Sequence, residues 1–131
     1  MILERIFESP YSIIGMDVLE MKFSKVYPLL IAKAQRKGRA TEEVYAVTTW
    51  LTGYPAEELE GLLQSEATYG DFLRNAPEMN PARLLVHGTI CGVRVENIED
   101  PLMRDLRILD KLVDDLAKGK AIGKILPIVQ A

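Results

Sequence analysis

Apolar and polar residues alternate with a helical period most clearly near the end of the chain. Leucine or valine recurs at positions 102, 106, 109, 113 and 116, a spacing that is typical of one helix face. Asp100 is a suitable N-cap, Pro101 suits the first helical position, and Gly119 suits the end. The pattern predicts a long helix over residues 101–118 on which the core is built.

Acidic residues occupy positions between the apolar ones of this helix, and they are Asp105, Asp110, Asp114 and Asp115. We expect these carboxylates to face mostly solvent, and we expect Asp114 and Asp115 to pair with Lys111 and Asp114 also with Lys118, three or four residues away. The apolar stripe itself can pack inside the chain or against a second copy. Self-association through this stripe is therefore one hypothesis.

Four shorter helical patterns precede the long one, at about residues 24–37, 41–52, 55–64 and 68–76. Thr41 is a suitable N-cap for the second, and Gly53 is placed to end it in a left-handed conformation. Residues 68–71 resemble a capping box at the start of the fourth. These patterns predict a mainly α fold, a compact single domain of five or six short helices around the long C-terminal helix.

Residues 82–97 fit two structures. Asn80 followed by Pro81 favours a fifth helix from Ala82 to about Cys91, with a short extended segment over residues 92–98. Several β-branched residues and two internal glycines favour a small β-hairpin instead. We prefer the helix here and keep the hairpin as the alternative.

Domain boundaries follow from the same patterns. We expect a variable N-terminal extension over residues 1–20, a single helical domain over residues 21–126 and a tail over residues 127–131. Residues 1–16 form an irregular start, and either Met16 or Met21 could be an alternative start site. A short amphipathic turn that docks on the domain is the other interpretation of this segment.

Composition narrows the class of protein. The chain has 131 residues, 48% of them hydrophobic, and a net charge of −3, as in an ordinary globular domain. Its single cysteine excludes an internal disulfide and fits a reducing compartment. Apolar runs are too short to span a bilayer, and the N-terminus lacks a signal-peptide core. We therefore expect a cytoplasmic protein without membrane contact.

Charge is unevenly distributed along the chain. The segment Lys22–Arg39 contains six basic residues and no acidic one, whereas residues 42–78 contain eight acids and one arginine. The basic segment is a candidate for nucleic-acid binding, but basic and acidic segments also suit pairing within the chain or between subunits. A helix-turn-helix at Gly53 is disfavoured because acidic residues open the following helix. We regard nucleic acid as an unlikely partner.

Four sequence stretches, taken in order, resemble a small bacterial family known as domain of unknown function 2200. The similarity runs from about Met21 to Leu126 and implies a cytosolic bacterial protein, with no activity carried over. The stretches are VYPLLIAKAQRKGR, WLTGY, ICGVRVENIEDPLM and LDKLVDDLAKGKAIGKIL.

Candidate chemistry is sparse. His87 and Cys91 would share a helix face, as in a thiol–imidazole pair or two ligands of a metal, but no third partner is evident. We favour a structural cysteine with an incidental histidine. Arg94 and Glu96 could form a polar site beside the long helix, but we favour a solvated ladder of charged side chains next to the Asp100 cap. We expect no catalytic residue, no metal and no cofactor.

Trp50 and Tyr54 flank a tight helix end, where such a pair can form a contact site for a partner or simply pack over the turn. The leading hypothesis is a non-catalytic binding or interaction module that self-associates. The first alternative is a small-ligand-binding or enzymatic domain with a polar pocket around Arg94, Glu96 and Cys91. The second is nucleic-acid binding through Lys22–Arg39.

Overall fold

The structure is a computed structural model, and it describes residues 17–90 and 92–127. Within these ranges the chain forms six α-helices, three short 3₁₀-helices and one two-stranded antiparallel sheet. The α-helices are α1 (Phe23–Gln35), α2 (Thr41–Thr52), α3 (Ala56–Leu63), α4 (Tyr69–Arg74), α5 (Pro101–Ala117) and α6 (Ile122–Ile125). The 3₁₀-helices are Val18–Glu20, Pro81–Leu85 and Val95–Asn97, and the strands are β1 (Thr89–Ile90) and β2 (Val93–Arg94). The mainly α fold predicted from the sequence is therefore confirmed.

Helix α5 lies at the centre, and α1, α2, α4, α6 and the hairpin all pack on it. Every residue from Asp105 to Val113 is buried, on the polar side of the helix as well as the apolar side. The prediction that the aspartates face mostly solvent is wrong, because Asp105, Asp110 and Asp115 are buried. Amphipathic spacing identified the apolar face of α5, and the outer elements cover its polar face as well.

Both ends of α5 are capped. At its start, the Asp100 carboxylate accepts a hydrogen bond from the backbone N–H of Met103 at 3.2 Å, and Pro101 occupies the first turn as predicted. Near its end, the Arg39 guanidinium donates to the carbonyls of Leu116 at 3.0 Å and Lys120 at 2.7 Å. A cation beside these carbonyls complements the negative end of the helix dipole.

Glu43 holds that guanidinium in place, since its carboxylate accepts hydrogen bonds from Arg39 Nη2 at 2.6 Å and from Nε. The same carboxylate accepts the N–H of Ala40 at 3.0 Å, so Ala40 is the N-cap of α2. Thr41, predicted as the cap, is the first helical residue. The hydrogen bonds from Arg39 and from Ala40 N–H lower the pKa of Glu43 to about 2.

Aromatic side chains join α1 to α4. The Phe23 ring centroid lies 4.7 Å from that of Tyr27 and 4.7 Å from that of Phe72. Tyr27 is fully buried, and its hydroxyl meets Thr48 Oγ1 at 2.7 Å. This cluster fixes α1 and α4 against each other beside α5. The capping box at Thr68 and Asp71 forms as predicted.

Strands β1 and β2 form a hairpin, the alternative prediction for residues 82–97. Asn80 caps a helix, but that helix is the short 3₁₀-helix Pro81–Leu85, so the preferred prediction of a helix that runs on to about residue 91 is wrong. Thr89 pairs with Arg94 and Ile90 with Val93, and β2 lies within the extended segment predicted over residues 92–98. Gly92 has φ +82°, a conformation that glycine adopts without strain. The β-branched residues and glycines therefore decide the structure after Leu85.

The described ranges do not include residues 1–16 or Cys91. The N-terminal extension predicted over residues 1–20 therefore stays a prediction. Val18 and Leu19 are both buried, and the backbone N–H of Tyr69 donates to the carbonyl of Met21 at 2.7 Å. In the described part of the chain, none of the helices is both long and apolar enough to cross a membrane.

Replacement of Glu43 by Gln tests the contribution of the hydrogen bonds between the Glu43 carboxylate and the Arg39 guanidinium, here called the clamp. Because the pKa of Glu43 is about 2 in the folded chain and 4.5 ordinarily, its contribution to stability is present above pH 4.5. That contribution is lost as the pH falls from 4.5 towards 2. We expect the wild type to have a higher Tm than Glu43→Gln at pH 7, and the difference to vanish near pH 2. Thermal melts followed by circular dichroism at several pH values measure this.

The matched control is Glu57→Gln, which changes an exposed glutamate in the first turn of α3. Its Tm should follow that of the wild type at every pH. A Tm difference for Glu43→Gln that stays constant down to pH 2 would contradict the clamp.

Candidate interaction site

Trp50 lies at the surface, where α2 and α3 meet. It is partly buried and lines an open groove of about 520 Å³ together with Tyr45, Ala46, Thr49 and Ala56. Trp50 also lines a smaller cavity of about 260 Å³, which Gly53 and Asn80 border as well. It therefore takes part in two neighbouring depressions of the surface, a position from which it can contact a partner.

The large groove has an apolar floor and an acidic rim. Glu42 lies at its edge. Burial raises the pKa of Tyr45, and the negative charges of Glu60 and Glu42 raise it further. Both glutamates are exposed, and neither has an ion-pair partner within the described ranges. An apolar floor with an unpaired acidic rim suits a partner that is apolar at its centre and basic at its edge.

Helical spacing explains why these residues meet. Glu42, Tyr45, Ala46 and Thr49 follow one another at i, i+3, i+4 and i+7, which places them on one face of α2. The opposite face of α2 carries the buried residues Val44, Val47, Thr48 and Leu51. Sequence analysis singled out Trp50 but missed Tyr45, Ala46 and Glu42, although a second apolar row on α2 was the available signal.

Tyr54 has a different environment from that of Trp50. It is 6% exposed, its ring centroid lies 5.2 Å from that of Phe72, and its hydroxyl donates to the Phe72 carbonyl at 2.8 Å. Gly53 ends α2 with φ +83°, as predicted, and a side chain there would meet the backbone N of Glu78 at 2.9 Å. Tyr54 is thus held in the core, and Trp50 alone of the two lines the groove.

Arg94 and Glu96 bond to each other beside the hairpin. Arg94 Nε donates to Glu96 Oε2 at 3.0 Å, and Glu96 Oε1 accepts the N–H of Gly88 at 3.0 Å. Hydrogen bonds from backbone N–H groups, that of Gly88 among them, lower the pKa of Glu96 to about 2, with Arg94 adding to the effect. The Glu96 carboxylate thus connects the residue before β1 to β2, and both of its oxygens accept hydrogen bonds within the chain.

His87 precedes the hairpin, is exposed and lies outside any helix, so the helix face that it was considered to share with Cys91 does not form at His87. Cys91 itself lies outside the described residues. Among residues 17–90 and 92–127, no three histidine, cysteine or carboxylate side chains come together as they would around a metal ion.

The basic segment Lys22–Arg39 is largely used inside the chain. Lys33 lies 3.3 Å from carboxylate oxygens of both Asp110 and Asp114, and Arg39 caps α5. Lys22 pairs with Glu66. Lys25 and Lys37 are exposed, and the described part of the chain gives neither an ion-pair partner. The interior contacts support pairing within the chain, the alternative that the sequence left open.

The buried charges of α5 form a connected set. Asp110 is fully buried, with Oδ1 3.3 Å from Lys33 Nζ and Oδ2 3.6 Å from Arg107 Nη1. Burial raises the pKa of Asp110 against the lowering effect of Lys33 and Arg107. Burial also opposes the charged form of Lys33, but the carboxylates of Asp110 and Asp114 outweigh it, and the pKa of Lys33 is raised. Asp110 is therefore enclosed, and its partner Lys33 is partly exposed at the edge of the site.

Comparison with known proteins places the chain in a family. The profile of a family described as "Uncharacterized protein conserved in bacteria (DUF2200)" matches residues 17–127. The chain belongs to this family. This confirms the resemblance seen in the sequence, and the match begins four residues before Met21.

The fold of this DUF2200 chain is similar to that of a solved structure. That structure is described as "Crystal structure of uncharacterized protein SP1917" and is 52% identical, with a TM-score of 0.79. The similarity covers 82% of this chain and 88% of that one. No curated protein matches the chain.

Replacement of Lys33 by Met tests the buried charges of this DUF2200 chain. The change leaves Asp110 buried without its nearest ammonium, and removing one partner of a buried pair destabilises a protein by about 3 kcal/mol or more. We expect a loss of this size in the free energy of unfolding, measured by urea denaturation at pH 7.

Lys118→Met is the matched control, because Lys118 pairs with Asp114 at 2.9 Å but its side chain is 62% exposed, against 26% for Lys33. An exposed pair contributes less than about 1 kcal/mol. Equal losses for the two variants would show that the charges of α5 are not enclosed.

Proposed function

We propose that this DUF2200 protein is a small, non-catalytic interaction module of the cytoplasm that self-associates. A second copy of the chain docks in the groove around Trp50. The observation that carries the proposal is the apolar groove that Trp50 and Tyr45 line at the surface, with an acidic rim that no basic residue of the described chain neutralises.

The stripe on α5, which first suggested self-association, does not serve this purpose. Leu106, Leu109 and Val113 are 0% exposed because the outer helices of the same chain cover them. A contact between copies therefore has to use an outer surface. Trp50 is the large aromatic side chain at such a surface, and tryptophan is enriched among the residues that dominate protein–protein binding.

Charge favours a second copy as the occupant. Glu42 lines the groove and Glu60 acts electrostatically on Tyr45 beside it, whereas Lys25 and Lys37 are exposed on and just after α1. In a symmetric dimer each contact occurs twice, so the acidic rim of one copy can meet the basic residues of the other in two equivalent places. Such pairs orient the partners, while the apolar floor contributes most of the binding energy.

Trp50→Ala should weaken the dimer without unfolding the chain. Truncation of a tryptophan that anchors an interface is worth about 2 kcal/mol or more, which raises the dissociation constant about thirtyfold or more. Sedimentation equilibrium at low salt measures this constant, and circular dichroism checks the fold. Leu84→Ala is the matched control, since Leu84 is 52% exposed and lies outside the groove.

A charge exchange identifies the partner surface. Glu42→Lys with Glu60→Lys in one variant, and Lys25→Glu with Lys37→Glu in another, should each weaken self-association because like charges then meet. Mixing the two variants should restore a one-to-one complex. A chain that stays monomeric at every concentration tested, or a dimer that Trp50→Ala leaves unchanged, would contradict the proposal.

A further inference from the structure

A cavity of about 270 Å³ lies on another part of the molecule, between the 3₁₀-helix that ends at Leu85, the second half of α5 and α6. Its wall includes apolar side chains of Leu85, Val86 and Ile125. Its polar lining is mostly basic and consists of His87, Lys111, Lys120, Lys124 and Asp115.

Charge in this cavity is unbalanced. Lys111 Nζ lies 2.6 Å from Asp115 Oδ1, and Lys120 Nζ lies 3.5 Å from the same oxygen. Lys124 has no ion-pair partner in the described part of the chain. One carboxylate therefore faces three ammonium groups, and the excess positive charge favours an anion.

Lys111 is positioned before any ligand arrives. It is 8% exposed, and its Cε lies 3.1 Å from where a Cβ on Gly88 would be. Gly88 has φ +118°, and its N–H is held by Glu96. The hairpin thus packs directly on the Lys111 stem and restricts the positions its ammonium can take, which lowers the entropy lost on binding. The hydrogen bond from the Gly88 N–H to Glu96 thus helps to position Lys111 beside the cavity.

His87 adds one more nitrogen. Its Nδ1 lies 3.1 Å from the carbonyl oxygen of Leu85, and since a carbonyl can only accept, Nδ1 donates. Nε2 is then the nitrogen available to a ligand in the cavity. Protonated, it is a further cationic donor, and neutral, it accepts a hydrogen bond from a protonated oxyanion.

We propose that this cavity binds a phosphate group, either as free inorganic phosphate or as the phosphate of a small monoester. Three lysines supply point charges of the kind that phosphate sites use. A phosphate carries more negative charge than a single carboxylate and so suits the excess of positive charge in the cavity. A cavity of about 270 Å³ has room for phosphate with a small substituent. The site is independent of the Trp50 groove.

Isothermal titration calorimetry of the full chain with inorganic phosphate, and separately with glycerol 3-phosphate, tests the proposal at constant ionic strength set with chloride. We expect saturable one-to-one binding in at least one arm. If inorganic phosphate and glycerol 3-phosphate bind with equal affinity, the phosphate group alone is recognised. If glycerol 3-phosphate binds more tightly, the ligand is a phosphorylated small molecule.

Lys120→Gln with Lys124→Gln should weaken this binding about tenfold or more, because each removed ammonium is a charged donor. Both lysines are exposed, so the fold should persist. Lys22→Gln with Lys118→Gln removes the same charge from two exposed lysines that line neither the cavity nor the Trp50 groove, and should leave the affinity unchanged. No saturable binding in either arm, or equal weakening in the two variants, would overturn the proposal.

Discussion

The enclosure of α5 is the constraint on which the rest of the structure depends. A helix that is buried on every side has to bring its charged side chains inside with it, and a buried charge without a partner is strongly unfavourable. Each aspartate of the helix accordingly meets a cation: Arg83 reaches Asp105, Lys33 reaches Asp110 and Asp114, and Lys111 reaches Asp115. These contacts determine where the outer elements lie, because the basic partners come from α1, from the 3₁₀-helix Pro81–Leu85 and from α5 itself.

Both proposed binding surfaces follow from this arrangement. With its apolar stripe covered, α5 offers no face to a second copy, and the proposed contact surface therefore lies on the outer helices α2 and α3 around Trp50. The lysine-lined cavity is formed where α5 ends and the hairpin packs on Lys111. One proposed surface is apolar with an acidic rim and the other is basic, so the two proposals concern chemically unlike partners.

Much of the helical framework could be predicted from the sequence because the signals are local. Asp100, Pro101 and Gly53 cap or bound their helices as expected, since a cap depends on neighbouring residues only. What covers the polar side of α5 could not be predicted, because Lys33 and Asp110 are 77 residues apart in the chain. The hairpin was ranked second for a related reason: the helix signal at Asn80 is local and opens only a short 3₁₀-helix, whereas the strands are stabilised by packing on α5. Trp50 was identified by its position at a helix end, but its neighbours needed the second face of α2.

Substitution of Leu109 by Asp is the most direct measurement of whether α5 is the enclosed core. Leu109 is 0% exposed, so a carboxylate there is buried without a partner and should remove most of a domain's stability, about 5 kcal/mol or more. We expect no cooperative thermal transition by circular dichroism, while Leu84→Asp, at a leucine that is 52% exposed, should melt like the wild type. A Leu109→Asp chain that folds cooperatively as a monomer would show instead that the stripe is a seam between copies.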